Sequence, residues 1–237
     1  MKTAIVVPTL NEAENIGSLI TQIDSALGDD YLIIVVDDNS SDRTQEIVKD
    51  MAEVYFVHLI ARPRKLGYAS ALKDGDRYAL SQDADFIIEM DADLSHNPQD
   101  IKRLMESMAL YDADVVIGSR YVEGGNVTGS PFSRRLISRA GNLITRMYTG
   151  IKIKDCTSGF RCYRRTVFYR TYILDWDNKD EGYGVHISFT DKILRAGLSI
   201  KEMPITFTDR KHGQSKMSRH IIFEALWIIF KISIKHR

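Results

Sequence analysis

The sequence predicts an α/β fold in which a mostly parallel sheet is covered by helices on both faces. Three observations carry this. Short runs rich in Val and Ile recur through the first half of the chain. Longer segments with apolar residues at helical spacing separate them. Carboxylate-rich stretches follow the runs rather than precede them.

The first run, Ala4 to Val7, is continuously apolar, as a strand buried on both faces requires. It is too short for a signal peptide. It leads into Pro8-Thr9-Leu10-Asn11-Glu12, with a helical pattern over 12–20. The second strand, 32–36, runs into Asp37-Asp38-Asn39-Ser40-Ser41-Asp42 and a helix over 42–52. A third strand over 55–59 precedes a helix over 68–80. The fourth, 86–90, ends at Asp91-Ala92-Asp93. Asn97-Pro98 then opens a helix over 98–110, because proline is tolerated in a first turn where its missing N–H is not needed. A fifth strand occupies 115–118. No Gly-x-Gly-x-x-Gly follows the first strand, which counts against an ordinary dinucleotide fold.

Length and composition fit this picture. The chain has 237 residues, 44% of them hydrophobic, enough for one domain with a core and an appended arm. Lys and Arg number 32, as do Asp and Glu, so overall charge gives no argument for nucleic acid. The distribution is uneven. Residues 130–170 hold ten Lys or Arg and a single acid, Asp155, which points to an anionic partner for that region or to a solvated basic face. The two cysteines, Cys156 and Cys162, fit neither a zinc pattern nor a disulfide framework, so a reducing cytosol is expected.

Open α/β sheets bind ligands beyond the carboxyl ends of their strands. On that rule Glu12, Asp37, Asp38, Asp91 and Asp93 converge on one edge, where their mutual repulsion calls for a cation or ligand donors. Asp-x-Asp places two hard oxygen ligands near one point, which suits Mg²⁺ or Mn²⁺ with positions left for water and substrate phosphates. Such a metal neutralises charge on a departing nucleoside diphosphate. Alone, Asp-x-Asp is a weak signal, common in surface loops.

Its surroundings change that. Val-Pro-Thr-Leu-Asn-Glu, Val-Val-Asp-Asp-Asn-Ser-Ser-Asp-Arg-Thr and Met-Asp-Ala-Asp-Leu-Ser-His-Asn-Pro occur in order, each at a strand end. Together they resemble glycosyltransferase family 2, which implies a GT-A (nucleotide-diphospho-sugar transferase) fold. Further along stand Gly118-Ser119-Arg120-Tyr121, Ser138-Arg139-Ala140-Gly141-Asn142, Asp155-Cys156-Thr157-Ser158-Gly159-Phe160-Arg161 and Asp209-Arg210-Lys211-His212-Gly213-Gln214-Ser215-Lys216. These are similar to the dolichyl-phosphate mannose synthase branch. The resemblance implies that Pro8, Leu10 and Glu12 line the nucleotide pocket and that Asp37 and Asp38 meet base and ribose. It implies that Asp91 and Asp93 hold the metal, with Ala92 near the nucleotide, and that Arg120 faces sugar or diphosphate. Arg210 and Lys216 would close over the phosphates on a loop. Asp93, Arg120 and Arg210 are thus the catalytic candidates.

The sequence departs from the branch at three places. Ser95, the third metal-side candidate and short enough to act through a water, stands where some relatives carry Gln as a further metal-side ligand. Gly182-Tyr183-Gly184-Val185-His186-Ile187-Ser188 replaces the usual Gly-Tyr-x-Phe-Gln-x-Glu. Lys65-Leu66-Gly67-Tyr68-Ala69-Ser70-Ala71 replaces Lys-Leu-Gly-Leu-Gly-x-Ala.

The reaction so implied is inverting transfer of a hexose, mannose from GDP-mannose, to a polyprenyl (dolichyl) monophosphate. A glucosyl- or aminosugar transferase to the same acceptor would look nearly identical. A degenerate nucleotide- or glycan-binding module is the non-enzyme alternative. A phosphate acceptor is already ionised near neutral pH, its second pKa being about 6, so it needs cations more than a base. In a helix over 133–149, Arg135, Arg139, Asn142 and Arg146 share a stripe, with Leu136, Ala140, Leu143, Ile144 and Met147 opposite. Arg135, Ser138 and Arg139 are the acceptor-phosphate candidates. The alternative is a solvated basic face on a helix packed against the core.

Residues 220–234 are strongly apolar, with His220, Glu224, Lys231 and Lys235 on one narrow stripe. A helix of that length spans about 21 Å, short of the roughly 30 Å hydrocarbon core. The expected division is a catalytic domain over 1–216 and an amphipathic helix over 217–237. That helix would lie on a membrane surface, pack on the domain, or dock on a small membrane-protein partner. The expected location is peripheral, on the cytoplasmic face of a membrane.

Overall fold

The structure is a computed structural model, and it describes residues 2–171, 184–210, 227–230 and 232–234. The apolar runs form a seven-stranded sheet in the order β3-β2-β1-β4-β7-β5-β8. Its strands are β1 (Thr3–Thr9), β2 (Tyr31–Asp37), β3 (Val57–Ala61), β4 (Phe86–Glu89), β5 (Val115–Ser119), β7 (Arg161–Arg164) and β8 (Ile200–Pro204). All neighbours are parallel except β7, which runs antiparallel between β4 and β5. A small parallel pair, β6 (Asn126–Thr128) and β9 (Thr206–Thr208), stands apart.

Helices cover both faces, and each face has its own core. On one, α3 (Tyr68–Ser81) and α7 (Gly184–Arg195) pack Leu72, Ala79, Val185, Phe189 and Ile193 with Val6, Val36, Ile87 and Ile117. On the other, α1 (Ile16–Leu27) and α4 (Asp100–Leu110) pack Leu19, Ile20, Ile23, Leu104 and Met108 with Ile5, Val7, Ile33 and Ile88. Strands so enclosed read as unbroken apolar runs, not alternating ones. Helix α3 packs tightly on the sheet at Gly75, where an added Cβ would meet Val6 Cγ1 at 2.3 Å.

Several boundaries differ from the sequence reading. Helix α1 starts at Ile16, not 12, because Glu12–Asn15 is a turn closed by Asn15 N–H to the Glu12 carbonyl (3.0 Å). It continues to Leu27 and stops at Gly28, whose φ is +78°. Strand β3 begins two residues late, because the Tyr55 amide still bonds the Met51 carbonyl behind α2 (Thr44–Met51). The helix expected over 133–149 is present as α5 (Phe132–Thr149). Elements β6 to β9, α6 (Arg165–Thr171) and α7 add to those expected.

Of the two readings of helix α5, core packing of its apolar side holds only for Ile144. Asn142, Thr145 and Thr149 are its buried residues, while Leu136, Leu143 and Met147 are exposed. Much of the C-terminal arm lies outside the described residues. Positions 227–230 and 232–234 are helical, with Ile228, Ile229 and Ile232 buried in the core and Trp227, Phe230 and Ile234 exposed. Among the described residues, no helix is long and apolar enough to cross a membrane.

Candidate active site

Parallel pairing brings the carboxyl ends of β1, β2 and β4 to one edge, with Thr9 level with Asp37 and Val6 level with Glu89. The loops after β1 and β2 are tied together there. The Asn11 amide donates to Ser40 Oγ (2.8 Å), Asn11 Oδ1 accepts from the Ser41 amide (2.8 Å), and Thr44 Oγ1 accepts from the Glu12 amide (2.9 Å). Asn11 and Asn39 take φ of +52° and +64°, a region asparagine tolerates better than most residues.

The strand-end carboxylates do not all open into one space. Asp91 and Asp93 do: both line a cavity of about 200 Å³. Asp38 is buried, accepting hydrogen bonds from Arg62 Nη1 (2.9 Å) and the amides of Leu66 (2.7 Å) and Gly67 (2.9 Å). Asp37 accepts from the Ser40 amide (2.9 Å), Ser40 Oγ and Gln45 Nε2 (2.6 Å). Glu12 accepts from Asn15 Nδ2 (2.8 Å). Pro8 is buried within β1, Leu10 is half-buried and Ala92 is buried in the core. These residues shape the edge, and Asp91 and Asp93 line the opening.

Around Asp91 the packing is tight. Tyr68 Oη donates to Asp91 Oδ1 (3.2 Å) and sits 3.2 Å from His186 Nε2. The Gly159 backbone approaches so closely that a Cβ there would lie 2.9 Å from Tyr68 Oη and 3.5 Å from Asp91 Oδ1. His96 stacks on Phe160 (centroids 5.0 Å apart), and its Nδ1 accepts from the Asp91 amide (3.3 Å). Burial holds both His96 and His186 below the ordinary imidazole range, so both are neutral at pH 7. Burial raises Asp91, helped by the neighbouring Asp93. Leu94, in the same loop, adopts φ +60°, a sparsely populated conformation for a leucine. The Ser95 amide donates to Asp93 Oδ1 (3.1 Å), while Ser95 Oγ is buried with no partner among the described residues.

The donor set fits a hard divalent cation. It offers carboxylate oxygens in a partly buried loop, and among the described residues no third His, Cys, Asp or Glu completes a protein cage. Mg²⁺ and Mn²⁺ sites are commonly of this kind, with one or two carboxylates and the remaining positions left to water and substrate phosphates.

Cations face these acids across the cavity. Arg120 is held bidentate by the buried Asp155, Nε to Oδ2 and Nη2 to Oδ1, both at 2.7 Å. It also donates to Thr157 Oγ1 (2.9 Å). Arg210 Nη2 pairs with Asp93 Oδ2 at 2.9 Å. Arg134, beyond the residues singled out from sequence, reaches both oxygens of Asp209 at 2.9 and 3.0 Å. Arg135 lines the same wall, with Nε buried and unpartnered among the described residues. Ser138 Oγ accepts from Tyr121 Oη (2.7 Å). Arg139 is not in that wall; it lines a neighbouring cavity. The rest of the lining of the first cavity is largely apolar, with Val127, Ile137, Ile187, Phe207 and Ile229 in it. Lys216 lies outside the described residues.

Tyr68, His186, Gly159 and Arg134 were not assigned roles from the sequence. Tyr68 and His186 had a signal, since both are departures from the family pattern. Arg134 had one only as part of a basic segment.

The sequence model for Glycosyl transferase family 2 matches residues 4–171. The chain is 36% identical over its whole length to polyprenol monophosphomannose synthase of Mycolicibacterium smegmatis, covering 88% of that protein. It is 39% identical over 95% of its length to undecaprenyl-phosphate mannosyltransferase of Micrococcus luteus, covering 91% of it. It is 37% identical over 98% of its length to dolichol-phosphate mannosyltransferase of Pyrococcus furiosus, covering 64% of it. Among solved structures, glucosyl-3-phosphoglycerate synthase from Mycobacterium tuberculosis, in complex with Mn²⁺, UDP-glucose and phosphoglyceric acid, superposes with a TM-score of 0.67. That match covers 97% of this chain and 80% of the other at 22% identity, a likeness of fold.

Proposed function

The chain belongs to glycosyl transferase family 2, and from that premise we propose that it transfers mannose from GDP-mannose to a polyprenyl monophosphate with inversion at the anomeric carbon. One observation carries this reading. The lining of a single cavity combines the carboxylates of Asp91 and Asp93, the guanidinium groups of Arg120, Arg134, Arg135 and Arg210, and a set of apolar side chains. A nucleotide sugar needs the first part, an acceptor phosphate the second, and a prenyl chain the third. The names of the curated relatives, with mannose and polyprenyl, undecaprenyl or dolichol phosphates, support the same assignment.

In this reading Asp91 and Asp93 hold Mg²⁺ or Mn²⁺, which supplies charge neutralisation at the leaving diphosphate. Ser95, joined to Asp93 through its amide, supports the loop. Pro8, Leu10, Glu12, Asp37, Asp38 and Ala92 form the nucleotide side of the edge, and Lys216 joins Arg210 on the phosphates. Arg134, Arg135 and Ser138 receive the acceptor phosphate. One of its oxygens forms the new C–O bond as the anomeric bond to the diphosphate breaks. The acceptor enters largely ionised, so no side chain must remove a proton. Arg120, fixed by Asp155, is held in the cavity wall without having to reorganise. The apolar part of the cavity lining, and the exposed Trp227, Phe230 and Ile234, suit an enzyme working peripherally on the cytoplasmic face of a membrane.

The test is incubation of the full chain with a panel of nucleotide sugars, Mg²⁺ or Mn²⁺, and a polyprenyl phosphate. Mannosyl lipid formed from GDP-mannose, and abolished by Asp93→Ala, is the expected result. Product from another sugar alone overturns the donor; no product with any donor overturns the enzyme reading in favour of a binding module.

A further inference from the structure

Beside the Asp91 cavity, sharing Arg120 and Tyr121 with it, lies a second cavity of about 340 Å³. Its wall carries Arg139, Arg146 and Lys154, all exposed. Among the described residues, none of these three side chains has a carboxylate partner; Arg139 instead lies over the Tyr121 ring at 5.8 Å. The other polar groups in the wall are engaged. Arg120 is held by Asp155, and Asn142 bonds the Ser138 carbonyl, Thr157 Oγ1 and the Cys156 amide. The pocket therefore collects positive charge that nothing in the surrounding wall neutralises.

The apolar surface beside it is equally unusual. Leu143 lines the pocket and is 53% exposed, with Leu136 (57%) and Met147 (72%) on the same helical face. A contiguous apolar stripe in water marks a docking surface. Arg139, Arg146 and Lys154 flank it, the arrangement of a helix lying in a bilayer interface with its cations at the headgroup level.

We propose that the Arg139–Arg146–Lys154 pocket binds the phosphate headgroup of an anionic phospholipid while the Leu136–Leu143–Met147 face enters the acyl boundary. The positive charge selects the occupant: an apolar protein partner would leave these cations uncompensated, whereas an anionic leaflet supplies both phosphates and hydrocarbon. The headgroup pocket adjoins the cavity assigned to the acceptor and shares Arg120 and Tyr121 with it, but Arg139, Arg146 and Lys154 line the headgroup pocket and not the other. The proposal goes beyond the transferase reading and does not need it.

The experiment is co-sedimentation of the full chain, without substrates, with phosphatidylcholine vesicles and with vesicles that also contain phosphatidylglycerol. Binding should require phosphatidylglycerol and weaken with salt. The variant Arg139→Gln/Arg146→Gln/Lys154→Gln should bind the anionic vesicles at least about tenfold more weakly. Leu143→Glu should also lose binding. These side chains are exposed, so an unchanged urea midpoint is expected and shows that the variants remain folded. Equal binding to both vesicle types, or undiminished binding by the triple variant, overturns the headgroup site. Binding of inorganic phosphate by the chain, lost in the triple variant, with no binding to anionic vesicles also overturns it, by showing a site for free phosphate. Failure here, together with product in the nucleotide-sugar assay, removes this surface and leaves the reaction standing.

Discussion

Asp155 offers the sharpest test of how the cationic side of the site is built. Its carboxylate is fully buried and accepts three hydrogen bonds from one residue: the Arg120 amide (3.0 Å), Nε (2.7 Å) and Nη2 (2.7 Å). Removing one partner of such a pair leaves the other charge desolvated and uncompensated, which costs about 3–5 kcal/mol. With a urea m-value of about 3 kcal/mol/M, Asp155→Ala should lower the unfolding midpoint by at least about 1 M. Asp155→Asn keeps the shape and loses the charge, and should fall between wild type and alanine. The pH dependence has a definite sign. Burial alone would raise the Asp155 pKa, but the Arg120 charge and its hydrogen bonds overcome this and hold it below the ordinary carboxylate range. The unfolded chain therefore takes up the proton first, so the stabilisation is present above the unfolded value of about 3.9 and is lost as pH falls through the folded one. The gap between wild type and Asp155→Asn should be full near neutral pH and shrink in acid. A loss below about 1 kcal/mol for Asp155→Ala, or a gap that does not change with pH, would refute the claim that this pair is desolvated and holds Arg120 in place.

Arg134→Ala should raise the acceptor KM by about tenfold or more, the weight of one charge-assisted hydrogen bond, and leave the donor KM nearly unchanged; steady-state kinetics with each substrate varied would show it, and equal rises would contradict it. Tyr68→Phe removes the hydrogen bond to Asp91 while keeping the ring, and should weaken Mn²⁺ binding about 10- to 100-fold in calorimetric titrations with nucleoside diphosphate present. Unchanged affinity would make Tyr68 a packing residue. Gly75→Ala places a Cβ 2.3 Å from Val6 Cγ1, and should cost about 1–3 kcal/mol in urea unfolding despite the better helix propensity of alanine. Asp76 is buried with both carboxylate oxygens unpartnered among the described residues, and burial followed by the nearby Glu89 raises its pKa well above the ordinary value. The folded protein thus keeps a proton that the unfolded chain releases, so stability should fall as pH rises from about 4 towards 7, and Asp76→Asn should flatten that slope. Parallel curves would rule this out.

The first half of the chain was legible because it is regular. Five apolar runs became β1 to β5, and their polar sequels became the loops at one sheet edge. The site was legible as far as residue type and strand end determine it, which brought Asp91 and Asp93 into the cavity wall. Strand order does not determine which carboxylates point outward. Asp38 is drawn inward by Arg62 and two amides, a contact that depends on where residues 62–67 return. Strand β7 was hidden for a related reason. Its sequence, Arg-Cys-Tyr-Arg, reads as polar, yet Arg161 is fully buried with its guanidinium bonded to the carbonyls of Cys156, Ser158 and His186. A pattern of apolar residues cannot register an arginine whose hydrogen bonds are all satisfied inside.

Helix α5 shows the same limit in a form that bears on function. Periodicity correctly gave it two faces, and the usual rule turns the apolar one inward. The rule assumes that water lies outside. In α5 the inward face carries Ile144 against the core and Asn142, whose Oδ1 accepts from the Cys156 amide and whose Nδ2 donates to Thr157 Oγ1. The Asn142 bonds anchor the helix to residues 155–157, the segment that also holds Arg120. The surface that positions the cationic wall of the site is therefore the one that turns Leu136, Leu143 and Met147 outward. Turning the apolar face inward would break the Asn142 bonds and release the loop behind Arg120. The exposed stripe is thus coupled to the architecture of the site and is not a packing accident at its edge.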